Sequence, residues 1–384
     1  MVTETVSLFR EGIDAIKEAG GQTTKLCYQC GLCNTICPLN IIGTFRVRGM
    51  VREADFGLVS FETADMWRCV TCGACVQCCP RGVELVNVMR AVRRVIVDLG
   101  VAGIPDSLRL TAKNISGVGN PLGEPAEERA NWARDLGVKT YTEGTEVLYF
   151  SCCVPAYDTK VQRIAQATAK ILQKADVDFG ILGSAEVCCG ESVRKAGYES
   201  IFRSLAQSNI SRFVAAGVKR IVVSSPHCYY TFKYEYPDLG GKFEVIHISQ
   251  YLAELIRGGR LKFIKEFSRK VAYHDPCYLG RHSGIYDEPR EVLHSVPGLE
   301  LVEMENSHEN SLCCGGGGGS IWMESKKEER LSDLRLEQAA EAGASVLVSA
   351  CPYCMLNLDA SVLTSDKRGI IEIKDITEVV QEVL

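Results

Sequence analysis

The chain has 384 residues, 46% hydrophobic and 24% charged, with a formal net charge of −5 and 19 cysteines. That length exceeds one ordinary hydrophobic core and points to two or three domains, while the mild acidic excess speaks against nucleic acid or an anionic membrane surface as a general partner. Apolar runs such as 147–150 and 221–223 are strand-length, far short of the ~18–20 residues that span a bilayer.

The N-terminal stretch MVTETVSLFREGID lacks the basic start and continuous apolar core of a signal peptide. Cysteines grouped as CxxC and CC pairs in such a chain fit metal ligation in a reducing cytoplasm rather than a disulfide framework. Cys27, Cys30, Cys33 and Cys37-Pro38, repeated as Cys69, Cys72, Cys75 and Cys79-Pro80, form two complete C-x2-C-x2-C-x3-C-P runs. This is the ligand spacing of a two-cluster [4Fe-4S] ferredoxin module, in which the fourth Cys of each run serves the other cluster. Cys27, Cys30, Cys33 and Cys79 are therefore assigned to one cubane, and Cys69, Cys72, Cys75 and Cys37 to the other. Zinc fits poorly, because it takes four ligands, usually as two separated pairs. Cys78 is surplus to the motif and reads as a buried thiol.

Between the runs, Phe45, Met50, Val51, Phe56, Leu58 and Phe61 are spaced as buried helical faces. Residues 83–99 predict a further helix ending at Gly100, with Arg90, Arg93 and Arg94 on its other faces. Residues 1–100 are thus expected to form an α-helical ferredoxin module. Residues 101–145, punctuated by Pro105, Gly117, Gly119, Pro121, Gly123 and Pro125, are expected to form a connector with one short helix over 127–136.

From residue 146 short apolar strands alternate with amphipathic helices, the α/β pattern. Strands are expected at 146–150, 179–182, 220–224, 244–247, 270–274, 299–304, 345–349 and 370–374, with helices at 159–174, 201–216, 248–257 and 327–342. This region repeats itself. Cys153 recurs as Cys277, Cys188-Cys189-Gly190 as Cys313-Cys314-Gly315, and Cys228 as Cys354, at a near-constant offset of about 125 residues. The repeats are delimited as 146–268 and 269–384. Each places cysteines just after a strand, at the crevice where parallel sheets bind ligands.

The second copy carries Cys277, Cys313, Cys314, Cys351 and Cys354. Five thiolates exceed the needs of a cubane, and adjacent Cys313 and Cys314 suit bridging or capping an opened, non-cubane iron–sulfur assembly. Gly315 to Gly319 let backbone amides approach the sulfurs; a phosphate loop would need a Gly-Lys-Ser/Thr ending that is lacking. The first copy has Ser225-Pro226-His227-Cys228 where the second has Cys351-Pro352-Tyr353-Cys354. Its thiolates are then Cys153, Cys188, Cys189 and Cys228, a set open to a cubane, a modified non-cubane cluster or zinc. Cys152, aligned with Pro276, reads as a packed or supporting thiol, with a spare ligand as the alternative.

The segments Tyr273-His274-Asp275-Pro276-Cys277-Tyr278-Leu279-Gly280-Arg281-His282, Ser311-Leu312-Cys313-Cys314-Gly315 and Ala350-Cys351-Pro352-Tyr353-Cys354, together with the ferredoxin runs, resemble the D-type catalytic subunits of heterodisulfide reductase and their relatives. The resemblance covers essentially the whole chain. It implies a multidomain fold, an N-terminal α-helical ferredoxin-like module plus two repeated α/β, Rossmann-like parallel-sheet CCG domains. It also implies two [4Fe-4S] cubanes, a non-cubane [4Fe-4S] cluster at the second CCG motif on which a disulfide is cleaved, and a further [4Fe-4S] cluster, with zinc the alternative, at the first.

On this reading the chain is the iron–sulfur electron-transfer subunit of an anaerobic redox complex. The alternative is a non-catalytic relay in another assembly, linked to class II benzoyl-coenzyme A reduction, sulfite reduction or a flavoprotein. His274, His282 and His227 flank cluster cysteines and are candidate proton donors or, equally, hydrogen-bond partners of a sulfur or backbone carbonyl; Arg281 is a candidate for holding an anionic substrate or for balancing cluster charge. No flavin, nicotinamide or haem motif is visible. Electrons are expected from a flavoprotein, a ferredoxin-like subunit or a membrane cytochrome, with the chain cytoplasmic and membrane-associated only through a partner.

Overall fold

The computed structural model describes residues 9–57, 64–100 and 103–384. The expected Leu58 and Phe61 lie outside them. The chain divides into two compact units that do not follow chain order. One comprises the residues up to Leu110 together with Ser192–Glu199 and Gly317–Glu329; the other comprises Thr111–Glu191, Ser200–Gly316 and Arg330–Leu384. Among the described residues no helix is long and apolar enough to cross a membrane.

The first unit is helical. The helix Val47–Phe56 buries Val47, Val51 and Ala54, one stripe at helical spacing. The helix Leu85–Asp98 buries Leu85, Val88, Met89, Val92, Val95 and Ile96 and stops before Gly100, whose φ of 64° suits a glycine stop. The same helix buries Arg93 completely, against the expectation of a solvated basic face.

Two parallel four-stranded sheets form the frame of the second unit. In one, β1 (Val147–Phe150), β2 (Phe179–Gly180), β3 (Arg220–Val223) and β4 (Glu244–His247) lie in the order β2-β1-β3-β4. In the other, β5 (Lys270–His274), β6 (Glu300–Val302), β7 (Val346–Ser349) and β8 (Glu372–Asp375) repeat that order as β6-β5-β7-β8. The registers correspond as well. Leu148 pairs with Ile221 as Ala272 pairs with Leu347. All pairings are parallel and the central strands are apolar on both faces, as sheets flanked by helices require.

Strand order reverses beside β1 and β5, so the loops leaving β1 and β3, and β5 and β7, flank a switch-point crevice at the carboxyl ends of the strands. One helix departs from the sequence-based expectation. Asp106–Val118 stands where a connector is expected, because Pro105 and Gly119, which also punctuate loops, immediately precede and follow it; Gly119 has a φ of 76°. The short helix expected over 127–136 is a 3-10 segment, Ala126–Ala133.

Candidate metal centres

In the first unit the two cysteine runs close two cavities. One is lined by Cys37, Cys69, Cys72 and Cys75 with Phe45, Leu85 and Met89. The other is lined by Cys27, Cys30, Cys33 and Cys79 with Tyr28, Arg48 and Arg81. Each thus takes three cysteines from one run and the Cys-Pro cysteine of the other. The wrapping is local: Gln29 and Gly31 in one loop, and Thr71 and Gly73 at the matching places in the other, all have positive φ, which turns three successive cysteines toward one centre. Burial pushes the Cys33 thiol up to about 11 and the Cys37 thiol up to about 12, so these sulfurs favour the thiolate only when a cation is bound among them. Cys78 lines neither cavity; its thiol donates to the Cys75 carbonyl at 3.4 Å.

Arg93 anchors the loop at Cys69. Its guanidinium donates to the carbonyls of Met66 (3.1 and 2.8 Å), Cys69 (2.7 Å), Lys195 (2.9 Å) and Gly318 (2.8 Å). Lys195 and Gly318 come from the segments that follow the two Cys-Cys-Gly motifs, and both belong to this unit. The glycine run owes part of its composition to this docking, since a Cβ on Gly317 would meet the Val70 carbonyl at 2.4 Å and one on Gly318 the Cys69 carbonyl at 2.3 Å. A buried arginine spanning such distant segments leaves no periodic signal in sequence.

In the second unit each repeat gathers its cysteines at the carboxyl ends of its central strands. In the second repeat Cys277 follows β5, and Cys351 precedes the helix Pro352–Thr364 after β7. Cys277 and Cys313 sulfurs lie 4.0 Å apart, and Cys314 and Cys354 sulfurs 3.2 Å apart. All five thiols are buried. The Gly315 amide donates to the Cys313 sulfur at 3.3 Å and the Asn357 amide to the Cys314 carbonyl at 2.9 Å.

The ring nitrogen of His274 shares a space with the Cys314 and Cys354 sulfurs, all within 4.8 Å of one another. Arg335 Nε donates to His274 Nδ1 at 3.2 Å. That bond assigns the hydrogen of a neutral ring to Nε2, which is buried with no nitrogen or oxygen partner. Hydrogen bonds from Cys313 and Cys354, with His274 adding to them, hold Cys314 well below the ordinary thiol range.

The other predicted polar residues take different places. Arg281 donates to the carbonyls of Glu309 (3.1 Å) and Ser311 (2.5 Å), bracing the segment that enters the Cys313-Cys314 turn. His282 stacks on Tyr278, with centroids 4.3 Å apart and planes at 22°. His227 reaches from the first repeat into the second, packed between Tyr278 (4.2 Å) and Tyr353 (4.5 Å). Its Nδ1 lies 3.1 Å from Glu191. Burial disfavours the charged ring, but Glu191 and a hydrogen bond to Cys351 raise it to about 10.

In the first repeat Cys153, Cys188, Cys189 and Cys228 are buried together with Cys152. The Gly190 amide donates to the Cys188 sulfur at 3.4 Å, matching Gly315. Arg129, which no sequence signal marks, is also buried here. It bonds Glu186 at 3.0 Å and the Cys153 sulfur at 3.4 Å, and its Nη2 has no partner. An N–H of Arg129 without a partner beside the thiols of the first repeat, and the His274 ring beside Cys314 and Cys354 in the second, each suit an anionic group among those sulfurs, as a thiolate-ligated iron–sulfur cluster is.

Comparison with known proteins bears on these centres. A family model described as a cysteine-rich domain matches residues 147–233 and 271–359, and one described as a 4Fe-4S dicluster domain matches residues 26–84. A probable iron-sulfur-binding oxidoreductase of Bacillus subtilis is 38% identical over 83% of this chain and 46% of its own length. An EtfAB:quinone oxidoreductase of Syntrophomonas wolfei is 33% identical over 87% of this chain and 48% of its own. The chain thus spans about half the length of these two relatives. The D-type subunit of dihydromethanophenazine:CoB–CoM heterodisulfide reductase from Methanosarcina barkeri is 34% identical over 83% of this chain and 78% of its own. Among solved structures, a hypothetical protein from Helicobacter pylori shares the fold at a TM-score of 0.51 and 10% identity, over 98% of this chain and 73% of its own.

Proposed function

Since the chain belongs to the family of D-type heterodisulfide reductase subunits and has its iron–sulfur electron-transfer role, we propose that it carries electrons from a redox partner to a thiolate-rich site in the second repeat, where a low-molecular-weight disulfide is reduced. Cys27, Cys30, Cys33 and Cys79 hold one [4Fe-4S] cubane and Cys37, Cys69, Cys72 and Cys75 the other. Cys277, Cys313, Cys314, Cys351 and Cys354 hold a non-cubane [4Fe-4S] cluster, and the first repeat holds a further iron–sulfur cluster. When bound, these groups supply one-electron transfer and, at the second repeat, an iron able to take a product thiolate. The observation that carries this reading is the gathering of five buried thiols in the second repeat, two of which, Cys314 and Cys354, lie within 4.8 Å of a His274 ring nitrogen.

The residues divide the work. Arg335 keeps the His274 tautomer that presents a donor to sulfur, and the Gly315 amide holds the Cys313 sulfur in place. Arg281 acts through the backbone of Glu309 and Ser311 rather than on substrate. The partner is a flavoprotein, a ferredoxin-like subunit or a membrane cytochrome, and it provides any membrane association of this cytoplasmic chain. A second reading, a relay that reduces no disulfide itself, is favoured by Ser225 standing where the second repeat has Cys351.

The test is anaerobic. The isolated chain is expected to hold about 12–16 Fe for three or four clusters, and addition of thiols or their mixed disulfides to the oxidised protein is expected to change a paramagnetic signal that Cys314→Ala abolishes. Cubane signals are expected to survive that substitution. Silence toward a broad thiol panel leaves the relay reading; loss of the cubane signals in Cys314→Ala overturns the ligand assignment.

A further inference from the structure

The thiols of the second repeat form an unbroken chain of side-chain contacts. It runs from Cys277 to Cys313, on to Cys314, then to Cys354, and ends at Cys351. In the first repeat the chain runs from Cys153 to Cys188, on to Cys189 and then to Cys228. By sequence correspondence the last place belongs to Ser225, but the further side-chain contact of Cys228 is with Cys152.

The backbone at Cys152 departs from its counterpart. Cys152 has φ 74° and ψ 155°, a conformation rare for a residue with a side chain, and it is buried. The aligned residue in the second repeat is Pro276, whose ring holds φ near −65°. The two repeats therefore part company at this residue, and the divergent conformation brings an additional thiol against Cys228. Ser225 meanwhile offers little as a substitute. It precedes the helix Pro226–Tyr230 without capping it, and its buried hydroxyl has no hydrogen-bond partner. Oxygen is also the harder, less favoured donor beside four thiolates at iron.

We propose that Cys152 is the fifth thiolate of the first repeat, standing in for the cysteine that Ser225 replaces, so that both repeats present five-thiolate sites of one class. This rests on the reading that the first repeat binds an iron–sulfur cluster. Ligation breaks the Cys152 S–H bond and forms an S–Fe bond; the proton passes to solvent, and no electron is transferred.

The experiment uses the full chain, purified anaerobically and enriched in ⁵⁷Fe, in wild-type form and as Cys152→Ser, Ser225→Ala and the double variant Cys152→Ser/Ser225→Cys. Iron content, Mössbauer spectra and electron paramagnetic resonance are read, with the cubane signals as the check on folding. Cys152→Ser is expected to lose or alter the first-repeat component while the cubanes persist, Ser225→Ala to leave it unchanged, and the double variant to restore a five-thiolate spectrum. A first-repeat component indifferent to Cys152→Ser, or one that moves with Ser225→Ala instead, overturns the proposal alone. A wild-type chain whose first repeat holds no iron overturns the underlying reading as well.

Discussion

Replacing Arg93 by methionine keeps most of the aliphatic stem and deletes the fork that joins three stretches of chain. The guanidinium makes five N–H bonds of 2.7–3.1 Å to four carbonyls, those of Met66, Cys69, Lys195 and Gly318, and is wholly buried. Each bond to a charged donor contributes about 1.5–3 kcal/mol, but the arginine's own desolvation, several kcal/mol, disappears with it. The net loss from stranding buried acceptors is expected to be about 3–5 kcal/mol. Arg93→Lys keeps the charge but not the fork geometry, and is expected to fall between wild type and Arg93→Met. The same cation favours the thiolate at Cys69, so its removal is expected to shift the potential of that cluster negative. Anaerobic urea unfolding, followed by far-UV circular dichroism and by bleaching of the iron–sulfur absorption, measures the first effect; potentiometric titration measures the second. A loss below about 1 kcal/mol in Arg93→Met would refute the reasoning.

Two further outcomes follow from buried charge. His247 caps the helix Ile248–Arg257 through Nδ1, which accepts from the Ser249 amide at 3.2 Å, and burial lowers its pKa to about 3. The folded state thus resists a proton that the unfolded chain accepts near 6.5, so this stability is complete above about pH 6.5 and declines as pH falls toward 3. Between pH 7 and 5 the loss is about 2 kcal/mol by linkage, measurable by urea titration and expected to vanish in His247→Asn. Arg129→Met, which leaves buried Glu186 unpaired, is expected to cost about 3–5 kcal/mol, with most of it recovered in Arg129→Met/Glu186→Met; equal costs in the single and double variants would contradict the pairing.

Much of the fold is legible in the sequence because its signals are local. Strand patterns at β1, β3, β4, β5 and β7 coincide with the observed strands within a residue or so, since apolar runs bounded by turn residues have few other solutions in an α/β chain. The repeat is legible from cysteine landmarks and reappears as two sheets of identical order. The helix Asp106–Val118 is not, because proline and glycine mark helix ends as readily as loops. Arg129 and Arg335 look like any solvated arginine, because a buried cation is betrayed only by partners far away in sequence, Glu186 and His274 here.

By itself the sequence determined the chemistry this protein is built for: the spacing of Cys27 to Cys79 dictates which thiols can share an iron centre, and a doubled Cys-Cys-Gly pattern after predicted strands dictates where the others gather. Tertiary structure alone decided how those centres are held. It decided that Arg93 and Gly318 meet at the Cys69 loop, that His227 of one repeat packs on Tyr278 and Tyr353 of the other, and that Cys152, not the aligned Ser225, touches Cys228. The reason is physical. Ligand spacing is a property of adjacent residues and short turns, whereas the partners of a buried side chain depend on which distant segments the folded chain packs around it.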